Sequence, residues 1–218
     1  MPETRSFHEL PHEDQLLVGG AIDDLKRRFS GTFDDETIER FAVDSFDRLA
    51  ATAKVKTYLG VLVQRFTRER LEAMMRVGNA APGVPGVLFL CVHNSGRSQM
   101  AAGWLRGFAG ARVTVYTGGS EPGAQLNPVV VSAMAEVGID ISEEFPKPWT
   151  DEIVRAVDAV ISMGCGDVCP VYPGKRFLEW VLDDPEGKGI ETVRAIRDEI
   201  RVRVETLMDE LGIDSRAA

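Results

Sequence analysis

The sequence predicts an α/β domain built on a four-stranded parallel sheet with helices on both faces, preceded by an all-α three-helix bundle. Three observations carry this expectation. Periodicity is purely helical up to about Val77, a Gly/Pro-rich break follows at Gly78 to Gly86 (GNAAPGVPG), and beyond it short apolar runs alternate with amphipathic segments. The boundary is placed at residue 83, giving a bundle over 1–83 and an α/β domain over 84–218.

In the first part, Val18, Ile22, Leu25 and Phe29 recur at three- and four-residue steps, and Ser30-Gly31 ends the run with glycine in the usual stop position. A second helix begins after Asp34 or Asp35, both good N-cap types, with Ile38, Phe41, Ala42, Phe46 and Leu49 on its apolar side. A third is expected from about Val55, carrying Leu59, Leu62, Phe66, Met74 and Val77. Such stripes are what helices bury against one another, so they read as bundle core rather than as a ligand site. Three short helices enclose little apolar volume, which favours association.

After the break, Val87 to Leu90 is a continuous apolar run, as for a strand covered on both faces, and Ser98 to Phe108 reads as the helix that follows it. A strand at Val113 to Tyr116, a helix from about Pro128 to Val137, a helix near Asp151 to Ala156 and a strand at Ala159 to Ser162 come next. The last strand is placed around Phe177 to Trp180. A long helix from about Glu191 to Leu211 then buries Val193, Ile196, Ile200, Val204, Leu207 and Leu211.

Composition narrows the function. With 44% hydrophobic and 27% charged residues the chain has globular values, which exclude global disorder and fibrous repeats. A net charge of −9 argues against nucleic-acid or anionic-membrane surfaces, which need clustered Lys and Arg, so any anion site must be local. No apolar run approaches the roughly 18 to 20 residues of a membrane span, and Met1 to Arg5 lacks an apolar signal core, so a cytoplasmic protein is expected. Three cysteines are too few for a disulfide framework and, in a reducing compartment, are either small buried hydrophobes or chemistry.

The informative stretch is Cys91-Val92-His93-Asn94-Ser95-Gly96-Arg97-Ser98, between the first strand of the sheet and its helix. Open α/β sheets bind ligands at the carboxyl ends of strands, and here that edge coincides with a helix N-terminus. A loop wrapped there aims the N–H groups of Val92, His93, Asn94, Ser95 and Gly96 at one point, where the helix dipole favours negative charge. Arg97 adds a planar fork of donors matched to tetrahedral oxyanions, and Gly96 is expected to take a backbone conformation that other residues resist. The same donors favour thiolate over thiol at Cys91, which makes it a nucleophile beside the bound anion. Ser98 is placed to donate to the sulfur and Asn94 to pin the loop. His93 is not expected to serve Cys91 as a base, because neighbours in a tight loop rarely face each other. Cys165 and Cys169, in Met163-Gly164-Cys165-Gly166-Asp167-Val168-Cys169-Pro170, follow another strand and so also belong to the carboxyl edge. Their i, i+4 spacing puts them about 5 to 6 Å apart if the turn is helical.

The run Cys91 to Ser98, continued by Gln99-Met100-Ala101, resembles the anion-binding loop of the low-molecular-weight tyrosine phosphatase fold, and in particular its arsenate reductase branch, whose motif is C-x-x-N-S-x-R-S-Q-M-A. The resemblance covers roughly Val87 to the C-terminus and includes Asp183-Asp184-Pro185, where it implies Asp184 as proton donor, with Asp183 as understudy. It implies arsenate as substrate, held by Val92 to Arg97, and a catalytic set of Cys91, Arg97, Ser98, Cys165, Cys169 and Asp184. The implied relay passes a disulfide from Cys91–Cys165 to Cys165–Cys169 and is completed by an external thiol, thioredoxin or mycothiol, with no bound cofactor. Thioredoxin-coupled relatives have their second and third cysteines further apart than here. Some family members bind potassium through a Glu in the first turn of the helix; Ala102 stands there, so no metal site is expected. The bundle resembles the three-helix segment ahead of actinobacterial-type arsenate reductases, which suggests a homodimer joined through it.

Two other readings share these residues. A phosphatase acting on phosphotyrosine or another phosphomonoester would use Cys91, Arg97 and Asp184 in the same roles, but Glu186-Gly187 follow the Asp-Pro pair where aryl-ester phosphatases of this fold place tyrosines. A DNA-binding repressor fused to an arsenic sensor conflicts with the acidic composition and with the want of a strand pair for a wing.

Overall fold

Asp34 opens the second helix of the N-terminal unit by accepting the Thr37 N–H at 2.6 Å, and Gly31, with φ +78°, makes the turn before it. The structure, a computed structural model, describes residues 5–53, 57–78, 83–164 and 173–214. By its internal contacts the chain divides into two units, Met1–Asn79 and Ala80–Ala218.

The first unit holds α1 (His12–Arg28), α2 (Asp35–Ala50) and α3 (Leu59–Gly78). Val18, Ile22, Leu25, Ile38, Phe46, Leu49, Leu59 and Phe66 are buried, as the stripes predict. Three details differ. The third helix starts at Leu59 rather than near Val55, which itself lies outside the described residues. Val63, not Leu62, faces the core, and Val77 is exposed. The third helix also buries Arg70, whose guanidinium meets Asp44 at 2.7 Å and the Ser45 hydroxyl at 2.8 Å and lies 4.7 Å from the Phe41 ring centroid. A charge is tolerated inside because every side of it is answered.

The second unit contains β1 (Gly86–Cys91), α4 (Arg97–Ala109), β2 (Thr114–Gly119), α5 (Pro128–Ala135), α6 (Asp151–Ala156), β3 (Ala159–Met163), β4 (Arg176–Glu179) and α7 (Ile190–Glu210). The four strands lie in the order β2-β1-β3-β4, all pairs parallel, with Cys91 opposite Gly119 on one side and Met163 on the other. Strand alternation divides the burial. Val87, Phe89, Ala159 and Ile161 join the core made with α4, α5 and α7, whereas Leu88, Leu90 and Val160 point to the opposite face, where α6 packs Ile153 and Val154. A four-stranded parallel sheet with helices on both faces is thus what the chain forms. The helix expected to reach Val137 ends at Ala135, followed by a turn closed by Gly138 at φ +77°. β2 runs three residues past Tyr116, through Gly118 and Gly119. Glycine hides the strand in the sequence, but the space demands it: a β-carbon on Gly118 would lie 2.9 Å from the Trp149 backbone, and one on Gly119 would lie 2.7 Å from the Val92 carbonyl oxygen. Among the described residues no helix is long and apolar enough to cross a membrane.

Candidate active site

Cys91 ends the central strand, is 2% exposed, and begins a loop whose carbonyl groups all bond away from its centre. The oxygens of Cys91, Val92 and His93 accept the N–H groups of Ser120, Glu121 and Gly123 at 3.3, 2.9 and 2.8 Å. That of Asn94 accepts the Gln99 side-chain amide at 3.1 Å, that of Ser95 the Asn127 N–H at 3.0 Å, and that of Gly96 the Met100 N–H at 3.0 Å. In a trans peptide the following N–H points opposite to the carbonyl, so six outward carbonyls turn the N–H groups of Val92 to Arg97 inward. The segment 120–127 therefore does for the loop what a neighbouring strand does in a sheet: it fixes which way each peptide faces.

The sulfur sits inside this ring. Asn94 donates its backbone N–H to Cys91 Sγ at 3.2 Å, and Ser98 Oγ is 3.0 Å away. Asn94 Nδ2 donates to Ser98 Oγ at 2.8 Å, so the single hydroxyl hydrogen of Ser98 is left to point at the sulfur. Asn94 Oδ1 accepts the Lys147 N–H at 3.0 Å and the Gln99 amide at 3.3 Å. Asn94 pins the loop as expected, and it, not Gly96, takes the left-handed backbone conformation, with φ +49°. Gly96 has φ −136° and ψ −90°, outside the helical and extended regions, and a β-carbon there would lie 2.7 Å from Pro185 Cγ. His93 turns its Nδ1 to the Glu121 carbonyl at 3.1 Å, away from the sulfur.

Arg97, 8% exposed, extends from the first turn of α4 and is met by the predicted acid. Its Nη2 lies 2.6 Å from Asp184 Oδ2, and Asp184 Oδ1 accepts the Glu186 N–H at 2.9 Å. Pro185 is buried against Gly96, and its carbonyl accepts Asn127 Nδ2 at 3.3 Å, so the Asp-Pro segment is fastened to the loop; Asp183 is exposed. Beside Ser95 opens a cavity of about 190 Å³, lined by Gln125, Leu126, Pro128, Val129, Glu186 and Lys188 among others, with no aromatic ring on its walls among the described residues. Gly164, at φ +83°, closes on the other side, where a β-carbon would lie 3.2 Å from Arg97 Nη1. Cys165 and Cys169 lie outside the described residues.

The structure thus brings Cys91, Asn94, Arg97, Ser98 and Asp184 together. Sequence reasoning missed Gly118, Gly119, Asn127 and Lys147. The Gly-Gly pair after an apolar run was the available signal for the first two, and the Asn-Pro pair at a helix start for the third: Asn127 caps α5 by accepting the Val129 N–H at 2.9 Å. Arranged like this, the loop can hold a tetrahedral dianion over a nucleophilic sulfur, with a carboxyl group at its rim.

Known proteins fit this geometry. Residues 20–75 match a family described as protein-tyrosine-phosphatase-like, N-terminal domain, and residues 86–217 match the low molecular weight phosphotyrosine protein phosphatase family. A solved thioredoxin-dependent arsenate reductase of Corynebacterium glutamicum is 42% identical, with a TM-score of 0.81 over 90% of this chain and 96% of that one. An arsenate reductase of Halalkalibacterium halodurans is 41% identical over 56% of this chain and 94% of its own length, and a glutaredoxin arsenate reductase of Synechocystis is 35% identical over 58% and 98%. The second match spans more than half of the sequence, and the chain belongs to the low molecular weight phosphotyrosine protein phosphatase family.

Proposed function

We propose that this chain reduces arsenate to arsenite, with Cys91 as nucleophile and an external thiol as the source of electrons. The observation that carries the reading is the enclosed Cys91 sulfur at the centre of six inward-facing amides. The names of its relatives support the same reaction.

Arsenate oxygens take the N–H groups of Val92 to Gly96 and the guanidinium of Arg97. An oxygen arriving at Arg97 displaces the Asp184 carboxylate, which, out of the ion pair, takes up a proton from water and faces the opposite oxygen from the rim. Cys91 Sγ attacks arsenic; a sulfur–arsenic bond forms, an arsenic–oxygen bond breaks, and Asp184 supplies the proton with which that oxygen leaves as water. Ser98 and Asn94 hold the sulfur in place through the bonds described above. Cys165 then attacks Cys91 Sγ. The new disulfide takes the sulfur, the sulfur–arsenic electron pair stays with arsenic, and As(V) becomes As(III). Cys169 attacks Cys165, moving the disulfide to Cys165–Cys169, and two electrons from thioredoxin, or from mycothiol, restore the thiols. Two facts support the relay: Cys91 pairs with Met163, and Gly164, the residue before Cys165, stands beside Arg97.

Phosphate binds the same cradle, but the cavity beside Ser95 offers an aryl ester no aromatic ring among the described residues. The N-terminal unit, with Leu16, Tyr58 and Val61 exposed, serves as the homodimer contact, and the reducing cytoplasm suits the chemistry. Mass spectrometry after one arsenate turnover tests the scheme: Cys91–Cys165 should accumulate in Cys169→Ser, and Cys165–Cys169 in the unaltered chain. Normal thioredoxin-driven turnover by Cys169→Ser defeats the relay, and aryl phosphate turnover faster than arsenate reduction defeats the reductase reading.

A further inference from the structure

The cavity beside Ser95 is walled by the anion loop, by the start of α5 and by the turn that follows Asp184, with Ser95, Gln125, Glu186 and Lys188 among its lining residues. That turn is fixed. The Glu186 N–H donates to Asp184 Oδ1 at 2.9 Å, the Lys188 N–H donates to the Pro185 carbonyl at 3.2 Å, and Gly187 between them takes φ +67°. Pro185 is buried and its carbonyl also accepts Asn127 Nδ2 at 3.3 Å, so the turn is held against the α5 start that forms the neighbouring wall. Glu186 and Lys188 therefore bring opposite charges to one rim at set places. Among the described residues neither the Glu186 carboxylate nor the Lys188 ammonium has an ion pair or a hydrogen bond, whereas Glu136 and Glu191 nearby in the fold are both paired with Arg194.

An ester oxygen leaves on the side of its proton donor, and that donor, Asp184, is bonded to the turn through its own Oδ1. The substituent on the departing oxygen thus extends toward this cavity. Its 190 Å³ equals about six waters at roughly 30 Å³ each, which suits an alcohol of about six non-hydrogen atoms. We infer that the chain also hydrolyses phosphomonoesters of small zwitterionic hydroxy amino acids, the Lys188 ammonium taking the carboxylate of the alcohol part and the Glu186 carboxylate taking its ammonium. This rests on Cys91 to Ser98 being an oxyanion site and adds a second substrate class to it. Cys91 Sγ attacks phosphorus; a sulfur–phosphorus bond forms, the phosphorus–oxygen ester bond breaks, and the departing oxygen takes its proton from Asp184. Water then attacks phosphorus, giving a proton back to the Asp184 carboxylate. The sulfur–phosphorus pair returns to sulfur and inorganic phosphate leaves, with nothing oxidised or reduced.

The test measures phosphate release by the full chain from O-phosphoserine, phosphoethanolamine, phosphoglycolate and glycerol phosphate, whose alcohol parts carry both charges, the ammonium alone, the carboxylate alone and neither. An exposed ion pair is worth up to about fivefold, so kcat/KM for phosphoserine should exceed that for glycerol phosphate by about tenfold, with the two singly charged esters between them. Lys188→Met should abolish the advantage given by the carboxylate, and Glu186→Gln that given by the ammonium. Both are read as ratios to glycerol phosphate, so a loss of folded protein cancels. Four esters turned over within about twofold of one another, or ratios that neither substitution moves, overturn the inference. Failure to hydrolyse any of the four by a chain that does reduce arsenate overturns it too and leaves the reductase reading standing. If arsenate is neither reduced nor able to protect Cys91 from iodoacetamide, the oxyanion site itself is wrong and this inference falls with it.

Discussion

Replacing Asn94 with alanine tests the loop where most of its bonds converge. The change leaves the Lys147 N–H buried without its acceptor and removes the donor that orients the Ser98 hydroxyl. A buried amide stripped of its partner costs about 1–3 kcal/mol. Alanine must also adopt φ +49°, which costs a residue with a β-carbon about 1–2 kcal/mol. The sum is roughly 2–5 kcal/mol, or about 4–20 °C in Tm at 2–4 °C per kcal/mol. Asn94→Gly loses the same bonds but none of the conformational ease, so it should recover about 1 kcal/mol relative to alanine. Urea unfolding followed by tryptophan fluorescence is the assay, since Trp104, Trp149 and Trp180 all lie in the second unit and report on it alone. Alanine and glycine variants of equal stability would refute the backbone argument. Both lying within 0.5 kcal/mol of the unaltered chain would refute the bond network as well.

Asp184→Asn should tighten phosphate binding, because no carboxylate then competes for Arg97, while slowing single-turnover arsenate reduction by roughly 10² or more; weaker phosphate binding, measured by calorimetry, counts against the exchange at Arg97. Glu136 is held below the ordinary glutamate range by hydrogen bonds from Arg194. Its contribution is therefore complete above the unfolded value near 4.5 and lost as pH falls through the lower folded value, so the urea midpoint of Glu136→Gln should vary less with pH between 6 and 3 than that of the unaltered chain. Deleting Met1 to Gly83 should leave a folded, monomeric α/β domain; sedimentation showing a dimer after the deletion refutes the bundle as the dimer contact.

Much of this was legible in the sequence because periodicity and glycine placement report local physics. Val87 to Leu90 could only be a doubly covered strand, and Cys91 to Ser98 named its own place between strand and helix. The misreadings have local causes too. Tyr116 looked like the end of a strand because Gly118 and Gly119 carry no side chains, although tight packing against Trp149 and Val92 is what requires them. Asparagine also tolerates the left-handed region, and nothing beside Asn94 in the sequence signals that it uses it. Lys147 was invisible because lysine in a Pro-Lys-Pro stretch reads as a solvated loop; only tertiary packing encloses it. Arg70 eluded the helical stripe for the same reason.

Cys91 is gripped by neighbours on both sides of the sheet and closes the middle strand. A sulfur mounted so rigidly has no freedom to seek a partner. Whatever forms a bond with it, oxyanion or second thiol, has to make the whole journey, and the pace of any sulfur handover is then governed by the visitor's path.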